Sequence, residues 1–381
     1  MGSLSSRERV MLALSHKEPD RVPIDLGPGR QTSIYLEPYQ KTGERLGLGQ
    51  LEVAMSPRDV VDGFDERLLR ALEIDFRRVS LRDVPEDRVL EPSGLIRDVW
   101  GIGWMNSGAF WSPTDHPLKE ATIDDLQNYP WPDALDERRF RGIREEAEFL
   151  YKKTPYALVA KEPSHIYGVL TQAIYMRGME EFFCDLALNK EFAVELMEKI
   201  LDYHGKLYTR FLEEVGEFVQ IVHTSDDLGT QVAPYFSLAM YRDLIKPKQK
   251  ALMAHIKDRS GAKIFYHCDG AVSSLIDDLI EIGVDILNPI EAAVKGMDPA
   301  ILKKSFGDRL CFHGGISQQQ VLSRGTPEQV LNEVKQRIAE LGHGGGYILA
   351  AAQTIVPEIP ADNIVEMFRA ARKYGTYPLA G

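Results

Sequence analysis

The chain has 381 residues, 44% hydrophobic and 27% charged, with 57 Asp and Glu against 45 Lys and Arg for a net charge of −12. That length can bury one large core, and three widely spaced cysteines, Cys184, Cys268 and Cys311, are too few for a disulfide framework and form no CxxC metal pair. An acidic chain without a basic cluster excludes nucleic acid as a partner, because Lys and Arg must displace counterions from phosphates. No apolar run nears the roughly 18 residues that cross a bilayer, and the opening MGSLSSRERVMLALSHKEPDR lacks a charged-then-apolar export pattern. A reducing cytoplasm without membrane association is the expected setting.

In chain order, VPIDLG (22–27) and FRRVSL (76–81) read as the first two β-strands. Residues 82–135, with RDVWGIGWMNSGAFWSPTDHPL at their centre, carry the Gly, Trp and Pro punctuation of hairpins and loops and not of a crossover helix. They are expected as an insertion over a barrel mouth. YALVAKE (156–162) is the third strand, followed by a helical stretch over 180–215, the strand FVQIVHTS (218–225) and a helix over 237–259 opening after Ser237. KIFYHC (263–268), a helix over 271–282, VDILNP (284–289), LCFHGG (310–315), a helix over 326–341 after Thr326, and GYILAAA (346–352) complete the pattern. Eight strands alternating with helices predict an α/β protein, a single (β/α)8 TIM barrel spanning 1–381. GHGGGY (342–347) precedes a strand instead of opening a helix, so it reads as a tight turn and not a phosphate loop.

Active sites of such barrels lie where strands end. Here His223, Asp226 and Asp227 follow the fourth strand, His267 and Asp269 the fifth, Asn288 and Glu291 the sixth, His313 the seventh and Gln353 the eighth. A strand-end His is often structural and an Asp pair often caps a turn. Several His and acids at one end of consecutive strands point instead to a shared site. Gly229 is expected to turn the chain sharply after Asp226 and Asp227. Because successive strand residues face opposite sides, His267 and Asp269 share one face and Cys268 takes the other as a small buried apolar residue. Trp100, Trp104, Phe110 and Trp111 of the insertion read either as a small local core or as a lid for an aromatic substrate.

DRVPIDLG (20–27), SDDLGTQ (225–231), YHCDGAVSSLIDDLIEIGVDILNP (266–289), FHGGISQQQVL (312–322) and GGGYILAAAQTIVPEIPADNI (344–364) resemble the uroporphyrinogen decarboxylase superfamily over nearly the whole chain. The resemblance implies a TIM barrel and one of two activities, decarboxylation of a tetrapyrrole's acetate arms or cobamide-dependent methyl transfer. The decarboxylases carry two arginines in a stretch like MRQAGR and an aspartate after the next strand. Here IDLGPGR keeps only Arg30 and puts Asp25 beside the site, and FRRVSL lacks that aspartate. A polycarboxylate would also meet Asp226, Asp227, Asp269 and Glu291, at about 1 kcal/mol per close unpaired charge even in water-like dielectric.

The thiol-methylating members of the superfamily hold zinc through His-x-Cys and a further Cys on the last strand. The matching positions here are His267-x-Asp269 and, in AAAQTI, Ala352 or Gln353, so both thiolates are missing. N and O ligands leave zinc a stronger Lewis acid, suited to polarising an ether oxygen. The resemblance and this departure together imply a methyltransferase that demethylates a small methoxylated aromatic. Zinc would be held by His267 and Asp269 with a third ligand from Glu291, His313 or His223. His267, Asp227, Asp226 and His223 are the expected catalytic residues, and Asn288, Gln353, Arg30 and Trp104 the expected substrate contacts. No cobalamin-binding DxHxxG stretch occurs, so the cobalamin would ride on a separate corrinoid protein; a homodimer is left open. The alternatives are a cofactor-free decarboxylase and methyl transfer from a methylcobamide to tetrahydrofolate or a thiol.

Overall fold

The computed structural model describes residues 4–27, 29, 31–56, 60–108, 111–161 and 167–379. Arg30, Phe110 and Glu162 therefore lie outside the described residues. Among those described, seven parallel strands form one curled sheet: β1 (Phe76–Ser80), β2 (Ala157–Lys161), β3 (Ile221–Ser225), β4 (Lys263–His267), β5 (Ile286–Ile290), β6 (Cys311–Ile316) and β7 (Tyr347–Ala351). Each strand pairs with the next in sequence, the arrangement that helical crossovers produce. Residues 22–27, predicted as an eighth strand, are held by less. Ile24 makes one parallel bridge to Leu349. Asp25 N donates to Leu349 O at 3.0 Å, Leu349 N to Pro23 O at 2.9 Å, and Asp75 N to Ile24 O at 3.0 Å. The segment thus laces β7 to the chain entering β1 and completes the barrel, while Pro23, with no N–H, limits its ladder.

Strand alternation divides the apolar residues into two regions. Phe76, Ala157, Val159, Ile221, Phe265, Ile286, Cys311 and Ile348 point inward and pack together in the lumen, with Val10 and Leu14 of the first helix, Ser6–Leu14, closing the end where the strands begin. The opposite faces pack against the outer helices in a much larger core. The inward stack is why the strand-end residues at the other end stand over a filled floor and not a pore.

Three helical predictions change in detail. The stretch 180–215 is two helices, Met179–Leu188 and Lys190–Val215, parted at Asn189, whose backbone leaves the helical region. The stretch 237–259 contains a wide turn at Tyr241–Ile245, and 271–282 forms regular helix only over Ile276–Ile282. Ser237 and Thr326 cap as expected, their hydroxyls accepting from Met240 N and Gln329 N. Gly344, Gly345 and Gly346 make the expected tight turn, with φ of 75°, 76° and 69°. The insertion is a four-stranded antiparallel sheet, Val89–Leu90, Ile96–Arg97, Gly103–Asn106 and Trp111–Asp115, in keeping with its hairpin punctuation. No helix among the described residues is long and apolar enough to cross a membrane.

Candidate active site

His267 is the last residue of β4 and faces inward because Phe265, two residues earlier, does. It sits level with Ser225 on β3 and Asn288 on β5. Its Nδ1 lies 2.6 Å from Asn288 Oδ1. A carboxamide oxygen only accepts, so Nδ1 carries the proton and Nε2 is left for the mouth. There it meets two carboxylates, Asp269 Oδ2 at 3.6 Å and Asp227 Oδ1 at 4.0 Å. Asp269 is fixed in turn: its N–H donates to Asp227 Oδ1 at 2.9 Å, and Gln353 Nε2 donates to its Oδ1 at 2.5 Å. Among the described residues, Asp227, His267 and Asp269 form the cluster able to hold a metal ion, with one ligand atom from each lying within 4.8 Å of the others.

The electrostatics follow from this geometry. Burial works against a charged His267, but Asp269 first and Asp227 after it, with the Asn288 bond, overcome that and raise its pKa to about 9. Burial also works against an ionised Asp269, yet His267 holds its carboxyl below the usual range. Asp227 is pushed up by burial and by the neighbouring charge of Asp269. Near neutral pH, His267 and Asp269 are therefore the ion pair, and Asp227 is the carboxyl more easily protonated.

This trio lines a cavity of about 190 Å³ whose wall includes Tyr167, Tyr175 and Gln353, with no lysine or arginine among the described lining residues. A neighbouring cavity of about 210 Å³, lined by Glu291, Pro289 and Met297, shares Asp269 and Gln353 with it. Tyr167 and Tyr175 escaped the sequence reading. They sit after β2 and on the helix Val169–Arg177, away from any strand-end motif, and only the cavity identifies them.

The remaining predicted residues fall elsewhere. Asp226 points away from the mouth into the layer beneath the helix Val169–Arg177. It accepts from Leu170 N at 3.2 Å, Thr171 N at 2.7 Å and Gln249 Nε2 at 2.9 Å, and burial raises its pKa to about 6. It serves as that helix's N-cap from a distance. The local cap, Gly168, has no room for a side chain, since a Cβ there would lie 1.7 Å from Ser225 O and 2.3 Å from Asp226 Cγ. His223 lies deeper in the lumen, its ring stacked on Phe265 at 4.7 Å, outside the metal-capable cluster. His313 is also interior: its Nε2 lies 2.8 Å from Asp25 Oδ2 and its Nδ1 2.9 Å from Asn288 Nδ2, so both ring nitrogens are engaged away from the mouth. Glu291 borders the neighbouring cavity, its carboxyl raised by burial. Asp227, expected as a catalytic residue, is thus the third member of the cluster in place of Glu291, His313 or His223.

Asn288 is fully buried between the two histidines and lines neither cavity, whereas Gln353 lines both. Trp104 stands behind the wall: it stacks on Tyr167 at 5.9 Å, meets Tyr175 edge-on at 5.3 Å, and its Nε1 donates to Asp98 Oδ2 at 2.7 Å. Trp100 belongs to a local core with Tyr203 and Trp131. Cys268 faces the outer layer and is 1% exposed, as the alternation predicts. The chain does reverse after Gly229, which bridges Pro234 while Thr230 N donates to Ala233 O at 2.8 Å; the left-handed glycine packed against it is Gly270, with φ of 103°, where a Cβ would lie 2.4 Å from Gly229 O.

The sequence profile of the family "Uroporphyrinogen decarboxylase (URO-D)" matches residues 113–374. A curated relative, the uroporphyrinogen decarboxylase of Alkalilimnicola ehrlichii, is 24% identical over 384 residues, covering 97% of this chain and 95% of that protein. Among solved structures, a methyltransferase from Methanosarcina mazei shares the fold with a TM-score of 0.63 at 17% identity, over 98% of this chain and 99% of that one.

Proposed function

The chain belongs to the uroporphyrinogen decarboxylase (URO-D) family, and on that premise we propose that it is a corrinoid-dependent methyltransferase demethylating a small methoxylated aromatic. The observation that carries this reading is the cavity itself: about 190 Å³, walled by Tyr167 and Tyr175, with His267 Nε2 and two carboxylates on its floor and no described cation in its lining. A cavity of about 150 Å³ takes one benzene ring, so a single substituted ring suits this one. A tetrapyrrole bearing many carboxylates exceeds that space and finds no counter-charge among the described lining residues. Arg78 and Lys161, on β1 and β2, are already paired with Asp62 at 2.6 and 3.0 Å.

The residues divide the work as follows. Tyr167 and Tyr175 hold the ring and exclude water. Gln353 fixes Asp269, and Asp269 with Asp227 orients His267. A corrinoid carried by a separate protein would supply the reduced cobalt that accepts the methyl group, and this chain's part is to stabilise the phenolate oxygen that is left behind. Without metal, His267, protonated near neutral pH, offers Nε2–H to that oxygen. The same three side chains fit a divalent cation, whose binding would displace that proton: Nδ1 is tied to Asn288, Nε2 would become a ligand, and the two carboxylates would complete an N/O donor set. Zinc bound there would supply Lewis acidity toward the ether oxygen. We expect about one zinc per chain by elemental analysis.

The test is incubation with reduced corrinoid protein and a panel of methoxyarenes, following cobalt absorption. The rate should rise as the leaving phenol becomes more acidic, and thiols should accept methyl from methylcobalamin poorly. Ready transfer from methylcobalamin to a thiol, with every methoxyarene ignored, would overturn the donor-side reading. A second reading, decarboxylation of a smaller acid with His267 as proton donor, is favoured by the relative that spans 97% of the chain. Release of carbon dioxide without any corrinoid would select it.

A further inference from the structure

Behind His267 lies a hydrogen-bonded line with no obvious part in binding substrate. Asp25 Oδ2 meets His313 Nε2 at 2.8 Å, His313 Nδ1 meets Asn288 Nδ2 at 2.9 Å, and Asn288 Oδ1 meets His267 Nδ1 at 2.6 Å. All four residues are buried, with exposures of 0 to 3%. They come from the segment 22–27, β6, β5 and β4, so the line runs along the inner face of one side of the barrel and joins four separate parts of its wall.

We infer that Asp25, His313 and Asn288 are positioning residues that select the tautomers of both histidines and thereby aim His267 Nε2 into the cavity. The logic runs from the amide in the middle. The NH2 end of Asn288 faces His313 Nδ1, which must then hold a lone pair, so the neutral His313 ring carries its proton on Nε2 and donates it to Asp25 Oδ2, an oxygen free to accept even though burial pushes the Asp25 carboxyl up. The same amide orientation turns the Asn288 oxygen toward His267 and places a proton on its Nδ1. With the amide rotated by 180°, both histidines would exchange roles, and in the singly protonated ring that a metal would require, His267 Nε2 would carry the proton instead of a lone pair. Asp25, three hydrogen bonds away, thus anchors the line that sets which nitrogen of His267 faces Asp227 and Asp269 as a donor or as a ligand. The benefit to metal binding or ether cleavage rests on the methyl-transfer reading; the tautomers do not.

The test uses the full-length protein with 15N-labelled histidine, freed of metal. Long-range proton–nitrogen correlation should show His313 protonated at Nε2 and bare at Nδ1. A proton on His313 Nδ1 overturns the inference, whether or not any variant folds. Zinc affinity, by calorimetry, should fall about ten-fold in Asp25→Asn. In an Asn288→Leu background, where the line is cut, Asp25→Asn should have no further effect. Additive losses in the double variant would show that Asp25 acts on the fold and not through Asn288, and would also overturn it. If the tautomers stand while the wild-type protein binds no zinc, the metal reading fails and the positioning line remains.

Discussion

Asp226 and Asp227 follow one another in the chain and serve two different regions of the barrel. Asp226 belongs to the layer between strands and helices, where two backbone amides and Gln249 use it to hold down a helix end. Asp227 belongs to the lumen mouth, half-buried, where it accepts from Asp269 N and faces His267. The same side chain is a structural anchor in one place and part of a reactive cluster in the other. What differs is the set of partners: the outer layer meets the Asp226 carboxylate with three donors, whereas the mouth leaves Nε2 and carboxylate oxygens facing a cavity.

Substitutions can break or sharpen that contrast. The largest effect is expected for His267→Ala, a loss of a hundredfold or more in methyl transfer, with the zinc content falling alongside; full metal in that variant would relocate the site. Next is Asp226→Ala, which should lower folding stability by about 2 kcal/mol in chemical denaturation, because it leaves helix amides and the Gln249 amide without their acceptor. An unchanged denaturation midpoint would contradict its anchoring role. Asp227→Asn should do the reverse, reducing turnover about tenfold at an unaltered melting temperature, and wild-type rates would demote the residue to a loop contact.

The mouth should also respond to pH in a different window from the outer layer, where burial raises Asp226 to about 6. In metal-free protein the folded-state pKa of His267, about 9, lies above its ordinary value of 6.5. Its charge therefore contributes stability fully below about 6.5 and loses it as pH rises through about 9. The stability gap between wild type and His267→Gln, measured across that window, should narrow as pH increases; a gap that stays flat or widens removes the ion pair with Asp269. The smallest effect is expected for Cys268→Ala, about 1 kcal/mol of packing in the outer layer, with zinc affinity unchanged. A loss of zinc in that variant would mean that the strand does not keep its alternation at the mouth.

Much of the framework was legible in the chain because it depends on local pattern. The seven regular strands lie where β-like apolar runs stand, Ser237 and Thr326 cap where their spacing says, and the 82–135 punctuation does form hairpins. Period-two alternation alone was enough to separate His267 and Asp269 from Cys268. Other features had no local signal. Residues 22–27 look like a strand but make one bridge, since pairing is decided by neighbours that arrive from β7 and the approach to β1.

By itself, then, the sequence determined the barrel, the end of it that carries the polar residues, and the pairing of a histidine with a carboxylate two positions on. Only the tertiary structure decided which acid completes the cluster. It chose Asp227 over Glu291, which borders another cavity, and over His313 and His223, which the lumen claims. It also decided that Asp226 turns outward, that Tyr167 and Tyr175 wall the cavity, and that Asn288 joins two histidines instead of meeting substrate. The physical reason is one of range. Strand and helix signals come from residues a few positions apart, whereas hydrogen bonds such as His313 to Asp25, 288 positions apart, exist only once barrel closure has brought the two ends of the chain within 3 Å.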